Sequence, residues 1–200
     1  PTLAYEDGRW WIFQTGPGIA GKWSDNGVTW NDALAIFPNG LSWWGNYVPG
    51  HDGQDVWAPD IKHYNGRAWL YYSISTFGSR VSAIGLASAP SIASGSWRDD
   101  GLVINTTNSN NYNAIDPELV KAEDGSPWMT FGSWNSGIKV TRINPVTMKP
   151  FGPLYSIASR SGGIEGPALV YRQGYYYLFV SIGECCKGTD STYRIAYGRS

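Results

Sequence analysis

A chain of 200 residues with a formal net charge of -1 and only 16% charged residues lacks the basic excess of a nucleic-acid-binding protein. No run is apolar enough to span a bilayer, so neither nucleic acid nor a membrane is expected as a partner. The 11 Trp, 13 Tyr and 25 Gly suit a sheet protein with an aromatic-lined sugar site, and the length is enough to bury a substantial core.

A block recurs four times along the chain: PTLAYEDGRWWIFQT from Pro1, PDIKHYNGRAWLYYSIS from Pro59, PELVKAEDGSPWMTFGS from Pro117 and PALVYRQGYYYLFVSIG from Pro167. Gly8, Gly66, Gly125 and Gly174 follow their prolines by 7, 7, 8 and 7 residues, and successive prolines are 58, 58 and 50 apart. Such a period marks a repeat architecture. Each block reads as two strands joined by a tight Asp-Gly, Asn-Gly or Gln-Gly hairpin, with Asn65-Gly66 and Asp124-Gly125 supplying the positive φ angles. A third apolar stretch follows each hairpin: IAGKWSD, SAIGLASAP, GIKVTRI and TYRIAYGRS. A three- or four-stranded antiparallel unit at this period is a β-propeller blade, its innermost strand beginning near the proline.

Three acids stand at those strand openings. Asp60 follows Pro59, Asp116 precedes Pro117, and Glu165 lies two residues before Pro167. Acids distant in sequence would converge at one end of the propeller axis. Glycoside hydrolysis needs such a pair, one acid to protonate the leaving oxygen and one ionised group to activate water or attack carbon. Ile164, Gly166 and Pro167 flank Glu165, an apolar setting that favours its protonated form. An acid beside proline more often caps a turn; three in register at repeat positions reverse that preference. Strand alternation can send Asp60 away from the axis, unlike the other two.

The stretches HYNGRAWLYYSISTFGS, SAIGLASAP, NAIDPELV, EDGSPWMTFGS, SGIKV, IEGPALVYRQGYYYLFVS and CCKGTDSTYRIAYGRS together resemble the arabinanases of glycoside hydrolase family 43 over essentially the whole chain. The resemblance implies a five-bladed propeller, of which residues 1–200 would be one partial catalytic domain of about four blades. It implies a secreted, extracellular, monomeric enzyme that cuts α-1,5-linked L-arabinan with inversion, although no leader is visible in a chain that starts at Pro1. Carried over by motif, Glu165 is the general acid and Asp116 orients it and tunes its proton affinity. The family's base is the aspartate of a His-Asp-Pro-Thr motif; this chain opens on Pro1-Thr2, so the base would stand just before Pro1. A fifth blade and its ion-holding histidine are also missing from the pattern, and the chain alone is expected to be inactive or nearly so. No cofactor is needed for the chemistry. A central calcium or other ion belongs to the complete domain, and no metal ligand is assigned within this chain.

Substrate-binding positions implied by the same motifs are Trp57, Asp60, Ser75, Phe77, Gly78, Asn113 and Trp134. Trp43, Trp44, Trp57 and Trp134 fall in loops or near inner-strand ends and suit stacking on arabinose, whereas Trp10, Trp11, Tyr71, Tyr72, Tyr176 and Phe179 read as blade packing. His51-Asp52 precedes Gly53 rather than Pro-Thr and reads as loop. Adjacent Cys185 and Cys186 read as a constrained turn or packed thiols. Asn105-Thr106-Thr107 matches the glycosylation acceptor pattern, which short sequences often meet by chance alone. Other readings stay open: a related family 43 enzyme acting on arabinoxylan or xylan, a non-catalytic carbohydrate-binding propeller, and a sialidase-like propeller suggested by the Asp-box-like Ser24–Trp30 segment.

Overall fold

The structure, a computed structural model, describes residues 1–200. Strands β1 (Thr2–Glu6), β2 (Arg9–Gln14), β3 (Gly16–Pro17), β4 (Ala20–Ser24) and β5 (Asn31–Ala33) come first, and all but β3 form an antiparallel sheet in the order β1-β2-β4-β5. After the one-turn helix α1 (Trp44–Tyr47), β6 (Asp55–Tyr64), β7 (Arg67–Ile74), β8 (Ser82–Ala89) and β9 (Arg98–Thr106) form the second sheet, with β3 paired to the start of β6. The third sheet is β10 (Glu118–Lys121), β11 (Pro127–Phe131), β12 (Ile138–Ile143) and β13 (Pro150–Ala158), and the fourth is β14 (Ile164–Arg172), β15 (Tyr175–Ile182) and β16 (Arg194–Arg199). These are four blades of a β-propeller. The innermost strands are β1, β6, β10 and β14; β6 lies against β1, and β10 against both β6 and β14.

The hairpins follow the dipeptides. Asp7-Gly8, Asn65-Gly66 and Gln173-Gly174 all have positive φ at both residues, as the mirror-image turns of two-residue hairpins require. Asp124-Gly125 differs from expectation: only Gly125 has positive φ, at 81°. The connection there runs five residues between paired Lys121 and Pro127, and the Asp124 carboxylate accepts the Ser126 N–H at 2.9 Å, which makes a wider turn.

The blades meet through their aromatic faces. Trp11, Phe13, Trp44, Leu70 and Tyr72 fill the first interface, and Trp69, Tyr71, Leu86, Leu119, Met129 and Phe131 the second. Trp44 therefore packs in the core rather than presenting to a sugar: it is fully buried, and its indole N–H donates to the Tyr72 hydroxyl at 3.3 Å. Between the third and fourth blades the buried apolar set shrinks to Ile138, Ile164 and Val180. A cleft of about 1150 Å³ opens beside them, lined by Tyr176 among others. Phe179 stays partly exposed on β15, so these two aromatics pack less completely than expected.

Candidate active site

The prolines of the repeat mark a backbone device. Ala58, Asp116 and Gly166, each immediately before its proline, have φ of 43°, 58° and 58°. At Pro59 and Pro167 the ladder shifts register, between Trp57 and Asp60 and between Glu165 and Ala168. Proline has no N–H to give the ladder, so the strand bulges there and the side chains before it are re-aimed. Strands β6 and β14 thus begin several residues ahead of their prolines, earlier than the sequence suggests.

This places Asp116 and Glu165 side by side. Asp116 is half-buried; its backbone N–H donates to Ser73 Oγ at 2.9 Å, and its Oδ2 accepts the backbone N–H of Gly166 at 3.0 Å. Burial, and then the nearby Glu165 charge, raise the Asp116 carboxyl to about 7, against the pull of the Gly166 N–H and of the Pro1 amino group. Glu165 meets hydroxyls rather than the apolar setting its chain neighbours suggest. Ser133 Oγ donates to Oε2 at 2.6 Å and Tyr193 Oη donates to Oε1 at 2.6 Å. Strand alternation explains the difference, since Ile164 turns into the core and Glu165 turns the other way. Burial, and then the bond to Glu165, push the Tyr193 phenol above its ordinary value.

Asp60 lies elsewhere in the hydrogen-bond pattern. Its Oδ1 accepts from Thr2 Oγ1 at 3.3 Å and Lys62 Nζ at 2.9 Å, and its Oδ2 accepts the Leu119 N–H at 2.8 Å. Both oxygens are engaged in tying β1, β6 and β10 together. Glu118 continues the strut, accepting the Leu169 N–H at 2.6 Å and Thr130 Oγ1 at 3.2 Å. Burial, and then Asp60, raise Glu118 to about 7.

Of the remaining positions, Trp57 and Trp134 neighbour residues bonded to the pair, Ser73 and Ser133, whereas Ser75, Asn113, Phe77 and Gly78 belong to the β7–β8 loop and its support. Half-buried Trp57 stands opposite Ser73 in the ladder, and its indole donates to Asp55 at 2.8 Å. Trp134 is 41% exposed; its N–H donates to Ile164 O at 2.8 Å, and its ring covers Gly163, where a Cβ would come within 2.9 Å of the indole. Ser75 and Asn113 are buried and shape the loop between β7 and β8: the Ser75 hydroxyl pairs with Ser82 at 2.7 Å, and Asn113 Nδ2 donates to Ser79 O at 3.1 Å. Phe77 and Gly78 sit at the tip of that loop, with Phe77 81% exposed. His51 and Asp52 build a turn, Asp52 Oδ1 accepting the N–H groups of Gln54 and Asp55 at 2.8 Å each. Cys185 and Cys186 are disulfide-bonded to each other.

The geometry adds Ser73, Ser133 and Tyr193 to the site. Each lies in a family-like stretch, YYSIS, MTFGS and STYRI, but nothing within those stretches points its hydroxyl at the acids. No three His, Cys, Asp or Glu side chains of this chain converge on a site for the central ion that the resemblance implies. No helix is long and apolar enough to cross a membrane.

The sequence profile of glycosyl hydrolases family 43 matches residues 13–200. Over its whole length the chain is 55% identical to the extracellular endo-α-(1→5)-L-arabinanase 1 of Bacillus subtilis (strain 168), of which it covers 64%. It superposes on the family 43 endo-arabinanase of Bacillus licheniformis with a TM-score of 0.97 at 57% identity, covering all of this chain and 70% of that one. The α-L-arabinanase of Cellvibrio cellulosa complexed with arabinohexaose aligns at a TM-score of 0.91 and 36% identity, over 99% of this chain and 69% of that one. The chain spans between 64% and 70% of the length of these relatives.

Proposed function

Because this chain belongs to glycosyl hydrolase family 43, we propose that it forms the acid side of an extracellular, inverting endo-arabinanase that cleaves α-1,5-L-arabinofuranosidic bonds of arabinan in plant cell-wall polysaccharide. The observation that carries the reading is the Asp116–Glu165 pair, joined through the Gly166 N–H at 3.0 Å. Protonated Glu165 gives its proton to the glycosidic oxygen as the bond to the anomeric carbon breaks. A water activated by a base on the opposite face attacks that carbon, giving the inverted sugar. Asp116 acts through Glu165, holding the backbone beside it and placing a second carboxylate whose charge depends on its own proton.

Trp134 and Trp57 offer ring faces for arabinose near this pair, and Phe77 and Gly78 border the approach. The chemistry uses carboxylates and water and needs no cofactor. The partner is the polysaccharide, and the protein works as a monomer.

The test is hydrolysis of debranched linear arabinan by this chain and by the same chain completed to its relatives' length with the flanking segments of the Bacillus subtilis arabinanase. Activity in the completed protein that disappears in Glu165→Gln supports the reading. A folded, inactive completed protein that still binds arabino-oligosaccharides would instead favour a binding propeller.

A further inference from the structure

Glu165 is held from two sides by hydroxyls that come from different blades. Ser133 follows β11 in the third blade, and Tyr193 precedes β16 in the fourth. Each hydroxyl takes a different carboxylate oxygen, at 2.6 Å in both cases, so together they fix the plane of the carboxyl group. At 2.6 Å both bonds lie at the short end of the O–H···O range.

The segment leading to Tyr193 is closed on itself. The Glu184 N–H donates to Thr192 Oγ1 at 3.1 Å, the Thr192 N–H returns to Glu184 O at 3.0 Å, and the Lys187 N–H donates to Ser191 Oγ at 3.0 Å. Lys187 and Glu184 also form an ion pair, and the Cys185–Cys186 disulfide lies inside this closed loop. At its base Gly183 packs so tightly on Thr192 that a Cβ would meet the Thr192 carbonyl oxygen at 2.5 Å. A loop with so many internal bonds delivers the phenol to one place.

We propose that Tyr193 is a positioning residue for acid catalysis: its hydroxyl sets the rotamer and plane in which Glu165 presents its proton to the glycosidic oxygen. This rests on the reading of Glu165 as the general acid. Misaligned acids lose their advantage steeply, because proton transfer demands hydrogen-bond geometry in the transition state. A sugar leaving as a poor alkoxide needs that proton. An activated aryl leaving group such as 2,4-dinitrophenolate departs without it.

The experiment compares the completed protein with its Tyr193→Phe variant, which keeps the ring and loses only the hydroxyl, on linear arabinan and on a 2,4-dinitrophenyl arabinoside. We expect kcat on arabinan to fall by roughly tenfold or more, with KM changed less than about twofold and the aryl substrate little affected. Equal losses on both substrates, a change in KM alone, or no loss would overturn the proposal. Glu165→Gln measured alongside separates the two ideas. If Glu165→Gln keeps its activity on arabinan, the acid assignment itself fails; if it loses activity while Tyr193→Phe does not, only the positioning role fails.

Discussion

The backbone N–H of Gly166 donates to Oδ2 of Asp116 at 3.0 Å, so the carboxylate that opens the third blade's inner strand grips the residue next to Glu165 in the fourth. Asp116→Asn keeps an oxygen for that bond and loses the charge. In the completed protein we expect kcat on linear arabinan to fall by about a hundredfold or more, with KM changed only a few-fold. Steady-state kinetics of the two proteins, with circular dichroism to verify folding, is the check; equal kcat values would remove Asp116 from the site.

Gly166 itself is constrained. With φ at 58° a side chain there is strained, although a Cβ would have room, 3.6 Å from Ser181 Oγ and 4.0 Å from Asp116 Oδ2. Gly166→Ala should therefore cost only about 1 kcal/mol of stability, yet reduce kcat much more than that loss explains, because it turns Glu165 and Asp116 relative to each other. Thermal melts beside kinetics separate the two effects.

Asp116 and Glu118 make stability depend on pH in an unusual direction. Each is raised to about 7 in the folded chain from ordinary values of 3.8 and 4.5. Between those limits the folded state holds protons that the unfolded state has released. Their stabilising contribution is complete below about pH 4 and lost as pH rises through about 7, on the order of 1–3 kcal/mol per group. Melting temperatures at pH 5 and pH 8 should differ less in Asp116→Asn and in Glu118→Gln than in the parent. A pH dependence unchanged by both substitutions would contradict the assignment.

Gly85 faces Tyr72 across the ladder, and a Cβ on it would lie 2.3 Å from the Tyr72 ring, deep in the interface between the first two blades. Tyr72 is boxed in by Trp44 and Phe37 and has nowhere to retreat. Gly85→Ala is expected to destabilise by about 1–3 kcal/mol, readable as a lowered urea midpoint.

The architecture was legible because each blade repeats the same signals: a proline, a hairpin glycine and an aromatic strand. The repeat also exposed Asp116 and Glu165, since an acid in register beside the prolines is visible in the string of letters. What it hid was everything that depends on which loops meet. Ser133 and Tyr193 lie 32 and 28 residues from Glu165, and no local pattern marks a hydroxyl that topology will bring to a carboxylate. Asp60 shows the converse, since it occupies a repeat position like the other acids. One position past its proline instead of before it, Asp60 falls beyond the bulge, where it binds backbone and lysine between strands. Trp44 looked like a loop aromatic because α1 has only four residues, too short to announce the face it buries.

Trp134 remains the most exposed indole beside the carboxylates. Replacing it with Ala in the completed protein should raise KM for arabino-oligosaccharides by about tenfold while leaving the melting temperature nearly unchanged, since the residue is 41% exposed. Kinetics on a length series of oligosaccharides measures this, and an unchanged KM would exclude Trp134 from the sugar path.

The most direct measurement is proton NMR of linear arabinan during the first turnovers of the completed protein, with Glu165→Gln in parallel. The account predicts that the new reducing end appears first as the inverted anomer, and that the signal is absent in the variant. A retained anomer, or release at the parent rate by Glu165→Gln, would contradict the assignment of Glu165 as the acid of an inverting arabinanase.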